Sequence, residues 1–369
     1  MSKYYSMQKL LKTGARYLIA FGERSNGKTY QALEYSLIQY VKNGGQTGII
    51  RREKEDFKGK RAGAYWDNLI CNGDGKNRVK EITGGKYDNI IYYAGKWYLA
   101  YYDEDQNKFI HEPDPFAYAF ALSDMEHEKG NSYPQITQIV FDEFMTRKGY
   151  LQDEFVLFMN TLSTIIRQRD NVKIIMCANT VSKYCPYFEE MGLKHIRQMK
   201  RGTIDIYNYG ESGLKVAVEY CDRPSTFKAS DVYFAFDNPK MRMITGKGED
   251  IWELDIYPHI KNKWENKDIQ FSYFIIFHEY TLQADIIIKD NEAFTFIHKK
   301  TTPVKYVDED IIFSTEANQQ NNHFTRLTKP VNKAGKKILW FFAANKVFYA
   351  SNEIGEIVNH YLQWCNKAA

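Results

Sequence analysis

An eight-residue stretch near the start of the chain constrains the fold more than any other feature. Residues 22–29 read Gly-Glu-Arg-Ser-Asn-Gly-Lys-Thr and fit the phosphate-binding pattern G-x-x-x-x-G-K-[ST] at every position. A short apolar run, 17–21, precedes the pattern, and an amphipathic segment, 30–41, follows it. A strand, a glycine-rich turn and a helix in that order surround a phosphate with backbone N–H groups. The pattern therefore predicts a nucleotide-binding α/β domain.

The residues of this loop have distinct roles in binding ATP and Mg²⁺. The glycines let the backbone curl around the β- and γ-phosphates, Lys28 adds a point charge there, and Thr29 offers a hydroxyl oxygen to the metal. The alternative, a chance loop, is disfavoured by the strand and the helix on either side. The predicted nucleotide-binding residues are Gly22, Glu23, Arg24, Ser25, Asn26, Gly27, Lys28 and Thr29.

A second motif ends an apolar run far downstream. Residues 138–144 read Gln-Ile-Val-Phe-Asp-Glu-Phe, which predicts a buried strand with two acids at its carboxyl end. Beside the phosphate loop, Asp142 would hold Mg²⁺ and Glu143 would polarise the attacking water. Alone, the pattern also fits a strand end with a helix-capping acid. Together the two motifs indicate ATP hydrolysis with a glutamate base, and Thr29 and Asp142 are the predicted metal ligands.

Polar residues at other element ends are weaker candidates. Asn179 follows the next predicted strand, where it either senses the γ-phosphate or forms a turn. Arg167 and Arg169 end a predicted helix, 154–169. A cation there either neutralises charge on a transferring phosphoryl group or only caps the helix. Arg24, inside the loop, would lie over the phosphates of its own site.

Five segments, taken in order, resemble one family. They are residues 22–29, 125–134, 138–144, 165–172 and 177–188, and they resemble the DNA-packaging (encapsidation) ATPases of small tailed phages of the phi29 type. The resemblance covers most of the first 200 residues. It is more specific than the nucleotide motifs alone, above all in the link that leads from Lys129 to the strand ending at Asp142.

The resemblance implies a ring motor. Members of the family assemble as a pentamer on the portal vertex of an empty prohead in the host cytoplasm. They drive double-stranded DNA inward with ATP and Mg²⁺, and they work with a structural RNA of the prohead. By motif matching, Arg167 serves the neighbouring subunit's site, Lys129 also acts between subunits, and Arg169 remains the alternative to Arg167. The predicted catalytic residues are Glu143, Arg167, Lys129, Asn179 and Arg24.

The chain divides into three predicted parts. Residues 1–201 alternate strands and helices, which predicts a P-loop NTPase domain of the ASCE type with a RecA-like parallel sheet. Residues 202–248 are polar and weakly periodic, and they predict a small linker subdomain. Residues 249–369 predict a second α/β domain, which the resemblance identifies as RNase H-like. Its predicted strands are 269–277, 281–289, 293–298, 338–342 and 346–349, before a last helix capped by Ser351.

We expect this last domain to bind nucleic acid or the prohead without cutting. In the family it resembles a nuclease that has lost its active site. The strand 271–277 carries no Asp or Glu, although a nuclease of this fold normally places a metal-binding carboxylate there. Asp285 on the next strand lacks an evident set of partners.

Composition excludes several other classes. Hydrophobic residues make up 44% and charged residues 26%, as in soluble globular proteins. No run of about 18 apolar residues occurs, so we expect no membrane span, and the first residues do not predict a secretory signal. The five cysteines are odd in number and widely spaced, which argues against a disulfide framework or structural zinc.

The charge pattern permits a nucleic-acid partner without requiring one. The net charge is +4, and the basic runs 51–61 and 194–201 would contact phosphates or form a solvated surface. The 28 tyrosines and 23 phenylalanines fit either aromatic-rich strands or base stacking.

Two other functions stay open. The first is another P-loop ATPase acting on nucleic acid, such as a helicase or a partition-type ATPase. A monomeric helicase would need a second RecA-like lobe after residue 200, and the pattern there indicates hairpins instead. The second is a non-hydrolysing nucleotide-binding scaffold, against which the Asp142–Glu143 pair argues.

Overall fold

In a computed structural model the chain divides into two units. Unit 1 comprises Met1–Met145, Asp153–Val181 and Cys185–Ile251, and unit 2 comprises Thr146–Gln152, Ser182–Tyr184 and Trp252–Ala369. The structure describes residues 5–24, 26–71, 75–128, 130–146, 149–180, 185–222, 257–260 and 264–367.

Unit 1 is built on a ten-stranded sheet. The strands run in the order β3-β4-β6-β2-β7-β8-β1-β10-β9, with β5 paired to β4. The six strands from β6 to β10 in this order are parallel, whereas β4 and β9 run antiparallel to their neighbours. The strands are β1 (Tyr17–Gly22), β2 (Gln46–Arg51), β3 (Asn89–Tyr93), β4 (Lys96–Asp103), β5 (Lys108–His111), β6 (Ala117–Ala121), β7 (Ile136–Asp142), β8 (Lys173–Asn179), β9 (Thr203–Tyr209) and β10 (Leu214–Tyr220).

Helices cover both faces of this sheet. On one face Leu33 and Leu37 join a core with Ile49 and Val140. On the other face the rings of Phe141, Phe158 and Tyr187 pack together. The helices are α1 (Gln8–Lys12), α2 (Lys28–Asn43), α3 (Gly59–Gly63), α4 (Asp67–Ile70), α5 (Arg78–Ile82), α6 (Glu154–Ile166) and α7 (Pro186–Glu190). Buried parallel strands between helices confirm the predicted P-loop NTPase architecture.

The predicted linker is wrong over the part that the structure describes. The sequence predicts a linker subdomain over 202–248, but β9 and β10 lie within this segment and extend the sheet of unit 1, with β10 parallel to β1. Val216, Ala217 and Val218 are buried in this position. The alternation of apolar and polar residues in β9 matches an edge strand, which explains its weak sequence signal. Residues 223–248 lie outside the described residues.

Unit 2 is a six-stranded sheet with helices. An antiparallel meander, β11 to β13, leads to β14, which is parallel to β11, and the order is β15-β14-β11-β12-β13-β16. The elements are β11 (Ile269–Phe277), β12 (Tyr280–Lys289), β13 (Glu292–Lys299), β14 (Ile311–Ser314), β15 (His323–Phe324), α8 (Lys333–Ala343), β16 (Val347–Tyr349) and α9 (Asn352–Lys367). This arrangement agrees with the expected RNase H-like α/β fold.

Two local predictions in the elements need correction. Residues 338–342 are not a strand but lie in α8, where Ile338 and Phe341 share the buried face and Asn332 Oδ1 accepts the Gly335 N–H as a cap. The helix predicted to reach Arg169 ends at Ile166, because Arg167 adopts φ +50°. The Ser351 cap is confirmed by its hydroxyl, which accepts the N–H of Ile354.

Within the described ranges, no helix is long and apolar enough to cross a membrane.

Candidate nucleotide-hydrolysis site

The phosphate loop joins β1 to α2, as predicted. Gly27 has φ +98°, a conformation that favours glycine. A Cβ at Gly22 would lie 3.1 Å from the Cβ of Cys221. Lys28 is only 5% exposed. Its Nζ donates to the Glu23 carbonyl at 2.6 Å and to Asn26 Oδ1 at 3.0 Å. The sequence thus builds a tight loop with its ammonium group folded inward.

The predicted metal ligands are in direct contact. Thr29 Oγ1 donates a hydrogen bond of 2.8 Å to Asp142 Oδ1. The carboxylate of Asp142 is buried at the end of β7, and Thr29 lies in the first turn of α2. A hydroxyl and a carboxylate oxygen at this spacing are hard oxygen donors of the kind Mg²⁺ prefers.

Asn179 completes the row of strand ends. It ends β8 and is in register with Gly22 on β1. Its Oδ1 lies 3.3 Å from Lys28 Nζ. Its place beside the lysine fits the predicted sensor, whose role in reporting the γ-phosphate stays a prediction.

Arg51 is a site residue that sequence reasoning missed. The sequence predicts that the basic run 51–61 contacts nucleic-acid phosphates or forms a solvated surface, but Arg51 ends β2 beside β7 and turns into the site. Its Nη1 lies 3.1 Å from Asp142 Oδ2, and its Nη2 lies 2.8 Å from Glu143 Oε2. Burial lowers the Arg51 pKa, but the two carboxylates outweigh it and raise that pKa overall. The sequence signal that could have identified Arg51 is its position at the end of a predicted parallel strand, like Asp142 at the end of β7.

Tyr65 is a second contact of the metal-binding carboxylate. Its hydroxyl donates to Asp142 Oδ2 at 3.2 Å. Burial, and then the charge of Asp142, raise the pKa of Tyr65 well above its ordinary value. The phenol therefore stays a neutral donor, and Asp142 is held from three sides, by Thr29, Arg51 and Tyr65.

Glu143 lies at the turn that follows β7. Its φ is +57°, in the left-handed region that non-glycine residues enter only at a cost of about 1 kcal/mol or more. Its side chain is 58% exposed, whereas Phe144 is fully buried behind it. The turn therefore directs the predicted base outward from the sheet while its neighbour anchors the chain.

Arg52 fixes that turn. Its guanidinium binds both oxygens of Glu154, at 2.6 and 2.7 Å, and Tyr187 also donates to Glu154. The same guanidinium donates to the carbonyls of Glu143 at 3.2 Å and Phe144 at 2.9 Å. Arg52 is therefore a structural residue rather than the phosphate contact or solvated residue predicted for this run.

The amino-terminal segment and the end of β10 support the loop from the other side. The Tyr5 N–H donates to the Asn26 carbonyl at 3.0 Å, and the Tyr5 hydroxyl donates to Glu219 at 2.6 Å. Burial, the largest cause, raises the pKa of Tyr5. Arg201 lies 2.8 Å from the Glu23 carboxylate. Neither Tyr5 nor the Arg201–Glu23 pair has a local sequence signature.

The two candidate arginine fingers have different environments. Arg169 is half-buried and donates to five backbone carbonyls, those of Tyr133, Pro134, Ile136, Ile165 and Ile166. Arg167 is exposed and contacts only the carbonyls of Asn131, at 2.6 Å, and Gly130, at 3.4 Å, among the described residues. Arg169 is therefore tied into the fold, whereas Arg167 is accessible.

Arg167 does not belong to its own nucleotide site. It lies where β7 begins, whereas Asp142 lies where β7 ends. Seven residues of strand separate the two ends by about 20 Å. Arg24 is exposed on the loop itself. Ser25 and Lys129, also predicted site residues, lie outside the described residues.

The residues present fit a magnesium–nucleotide complex. Buried Asn26 Nδ2 has no hydrogen-bond partner within the described part of the chain, and it belongs to the loop that would wrap the phosphates. Lys28 supplies a compact positive charge, and Thr29 with Asp142 supplies two metal ligands. These groups lie together because the carboxyl ends of four adjacent strands, β2, β7, β8 and β1, are at the same end of the sheet.

Fold and site together define a P-loop NTPase in which an aspartate and a glutamate follow one another at the end of a central strand. Comparison with known proteins narrows the class. Residues 105–223 match the model of a family described as Podovirus DNA encapsidation protein (Gp16). This match includes β7, β8, β9 and β10.

Named relatives agree with this match. The chain is 28% identical over 190 residues to the DNA packaging protein of Bacillus phage phi29, and 27% identical over 175 residues to that of Bacillus phage B103. These alignments cover 51% and 47% of this chain. They span about half of each relative, at 49% and 46%. The resemblance to phi29-type packaging proteins is confirmed.

A solved structure extends the likeness in fold to nearly the whole chain. The bacteriophage phi29 viral genome packaging motor assembly aligns with a TM-score of 0.56 over 97% of this chain and 98% of the other, at 20% identity. At that identity the likeness concerns the fold, and it includes unit 2.

Proposed function

We propose that this protein is an ATP-hydrolysing ring motor that moves double-stranded DNA into a phage prohead through its portal. The observation that carries the proposal is the Thr29–Asp142 contact beside Lys28 and Glu143, in a chain similar to phage DNA packaging proteins. Hydrolysis rests on the site's own geometry, and the DNA substrate rests on the relatives.

Each group of the site has a role in hydrolysis. Mg²⁺ bound with ATP supplies charge that neutralises the phosphate oxygens. Thr29 and Asp142 would hold the metal, and Lys28 would bind the β- and γ-phosphates. Glu143 would orient the attacking water and accept its proton, while Arg51 keeps the two carboxylates at a fixed spacing.

Ring assembly follows from the position of Arg167. Because this arginine lies at the end of the sheet opposite the phosphate loop, it serves a nucleotide only if the nucleotide is bound by another copy of the chain. Head-to-tail contacts of this kind form a ring when the rotation between neighbouring subunits closes. The resemblance to the phi29 type suggests five subunits, a portal contact and a structural RNA, at the portal vertex in the host cytoplasm.

Unit 2 would bind nucleic acid or the prohead without cutting DNA. The strand Ile269–Phe277 carries no carboxylate, and the next strand carries one, Asp285. The Asp285 carboxylate already accepts from Ser272 at 2.6 Å and from Gln283 at 2.9 Å, and it pairs with His298 at 3.1 Å. The described residues contain no group of three or more His, Cys, Asp or Glu that could hold a metal.

The test is hydrolysis by the purified full chain with and without duplex DNA. We expect ATP turnover that random-sequence double-stranded DNA stimulates and that Lys28→Ala abolishes. Lys42→Ala, on the exposed last turn of the same helix, is the matched control and should behave as wild type. Turnover that is insensitive to Lys28→Ala would remove the proposed site. Turnover without any DNA stimulation or binding would contradict the movement of DNA and leave only ATP hydrolysis.

A further inference from the structure

A β-hairpin at one edge of the unit 1 sheet stands out from its surroundings. It is formed by β4 and β5 around the turn 104–107. From Tyr101 to Asp103, β4 pairs only with β5 among the described strands. The hairpin therefore extends past the strands that flank it.

The outer face of this hairpin carries an aromatic strip. Tyr102 and Phe109 are directly opposite each other, with ring centroids 5.2 Å apart, and Tyr98 stands 4.9 Å from His111 on the same face. Tyr102 and Phe109 are 45% and 43% exposed. Exposed paired rings of this kind, with a polar rim, are typical of protein interfaces.

The rim of the strip is acidic. The hairpin residues 101–111 contain three carboxylates and a single lysine, in a chain whose net charge is +4. Asp103, Glu104 and Asp105 are consecutive at the turn. A phosphate backbone would be repelled by this surface, so the aromatic strip is unsuited to DNA. A basic protein surface fits it.

The hairpin points away from the nucleotide end of the sheet. β4 is antiparallel to β6, and it leaves the sheet past Ala117, where β6 begins. The parallel strands have their carboxyl ends at the opposite end of the sheet, with Arg51, Asp142 and Asn179. The hairpin tip is thus at the same end of the sheet as Arg167.

We propose that the hairpin docks onto the nucleotide end of a second copy of this chain. The inference rests on the proposed function, because delivery of Arg167 to a neighbour's site brings these two ends of the sheet together. The nucleotide end carries exposed cations, Arg24 on the phosphate loop and Lys200 just before β9. The acidic rim and these cations are complementary, and the contact is head-to-tail.

Charge reversal tests the contact in the full chain. The variant is Asp103→Lys/Glu104→Lys/Asp105→Lys. The same tripeptide occurs in unit 2, so Asp308→Lys/Glu309→Lys/Asp310→Lys is a matched control with an identical change of charge. In both turns a glutamine side chain donates to the first aspartate. We expect at least about tenfold weaker self-association for the hairpin variant in sedimentation velocity, with wild-type behaviour for the control.

Mixing separates a head-to-tail contact from a hairpin-to-hairpin contact. The charge-reversed hairpin variant keeps the nucleotide end that receives a neighbour's hairpin, but its own hairpin has lost its negative charge. In a head-to-tail assembly it therefore terminates growth, and it should lower wild-type ATP turnover by more than simple dilution. If two hairpins met each other, reversed and wild-type hairpins would attract, and the mixture would associate more tightly than wild type. That result would overturn the proposal.

The remaining outcomes are distinct. If wild type neither hydrolyses ATP nor self-associates, the proposed function fails. If wild type does both and the hairpin variant matches it, with an unchanged unfolding midpoint, only the docking proposal is wrong. A hairpin variant that assembles normally yet no longer binds proheads would assign the hairpin to another protein and also overturn the proposal.

Discussion

Arg51 Nη2 lies 2.8 Å from Glu143 Oε2, and the other terminal nitrogen of the same guanidinium lies 3.1 Å from Asp142 Oδ2. One cation therefore joins the predicted base to the predicted metal ligand. Glu143 is at an exposed, left-handed turn, and this bond is the only hydrogen bond of its side chain among the described residues.

Replacement of Arg51 should lower turnover more than nucleotide binding. We expect Arg51→Ala to reduce kcat by about 10- to 100-fold, because Glu143 loses the contact that orients it, while Lys28 still binds the phosphates. Arg51→Lys keeps the charge but reaches one carboxylate at a time, so its kcat should be intermediate. Steady-state hydrolysis and the Kd for a fluorescent ATP analogue measure the two effects. Equal kcat for wild type and Arg51→Ala would contradict the positioning role.

Glu143 itself should be needed for hydrolysis but not for binding. We expect Glu143→Gln to bind ATP and to hydrolyse it at least about 100-fold more slowly, because the amide cannot accept a proton from water. The change is isosteric and the side chain is exposed, so the unfolding midpoint should not move. Nucleotide binding and turnover on the same sample provide the measurement. Near-normal turnover would remove Glu143 from the role.

The fold and the site differ in how far the sequence predicted them. Gly27, Lys28 and Asp142 lie in local patterns whose geometry is set by neighbouring residues, so both motifs and their strands were predicted. Arg51 and Arg52 look like part of a basic surface run. Their partners Asp142 and Glu154 come together only when β2 and β7 pair in parallel.

The errors have the same physical origin. β9 has few buried side chains because it is an edge strand, so its sequence signal is weak. The place of β10 in the sheet depends on β1, which is far away along the chain. Residues 338–342 are apolar enough for a strand, and the helix is decided by the Asn332 cap and by packing on one face.

Arg169 should matter for stability rather than catalysis. Its guanidinium satisfies five carbonyl oxygens, so Arg169→Ala should lower the free energy of unfolding by about 2–4 kcal/mol. Arg167→Ala, at the exposed neighbouring position, should change it by less than about 0.5 kcal/mol. Urea denaturation of the two variants provides the comparison. Equal effects would show that the hydrogen bonds of Arg169 do not support the fold.

The Asp285–His298 pair predicts a pH dependence of stability in unit 2. The hydrogen bond to Asp285 raises the pKa of His298 above its ordinary 6.5 despite burial. Burial opposes ionisation of Asp285, but His298, Ser272 and Gln283 outweigh it and lower the Asp285 pKa below 3.8. The histidine contribution is complete below pH 6.5 and is lost as pH rises through the raised pKa. The aspartate contribution is present above pH 3.8 and is lost as pH falls through the lowered pKa.

Stability from this pair is therefore greatest between about pH 4 and 6.5. We expect His298→Gln to remove the fall in the thermal midpoint of unit 2 from pH 6.5 to pH 8. His323, in the same unit, has no carboxylate partner among the described residues, so His323→Gln should keep the fall. Scanning fluorimetry across this range measures it. An unchanged slope in His298→Gln would show that other groups cause the dependence.

The last prediction concerns the assignment of Arg167 to a neighbouring subunit. Arg167→Ala keeps an intact phosphate loop but offers no arginine, whereas Glu143→Gln has an inactive site but offers the arginine. In a mixture, an Arg167→Ala site that receives its arginine from a Glu143→Gln neighbour is complete. We expect the mixture to recover hydrolysis that neither variant shows alone, because an arginine finger is worth about 10³–10⁵ in rate. The same assay with Arg169→Ala in place of Arg167→Ala decides which of the two arginines is the finger. If Arg167 is the finger, Arg169→Ala should hydrolyse ATP without a partner variant. If mixtures with Arg167→Ala stay inactive at every ratio, Arg167 acts in its own subunit or only ends its helix.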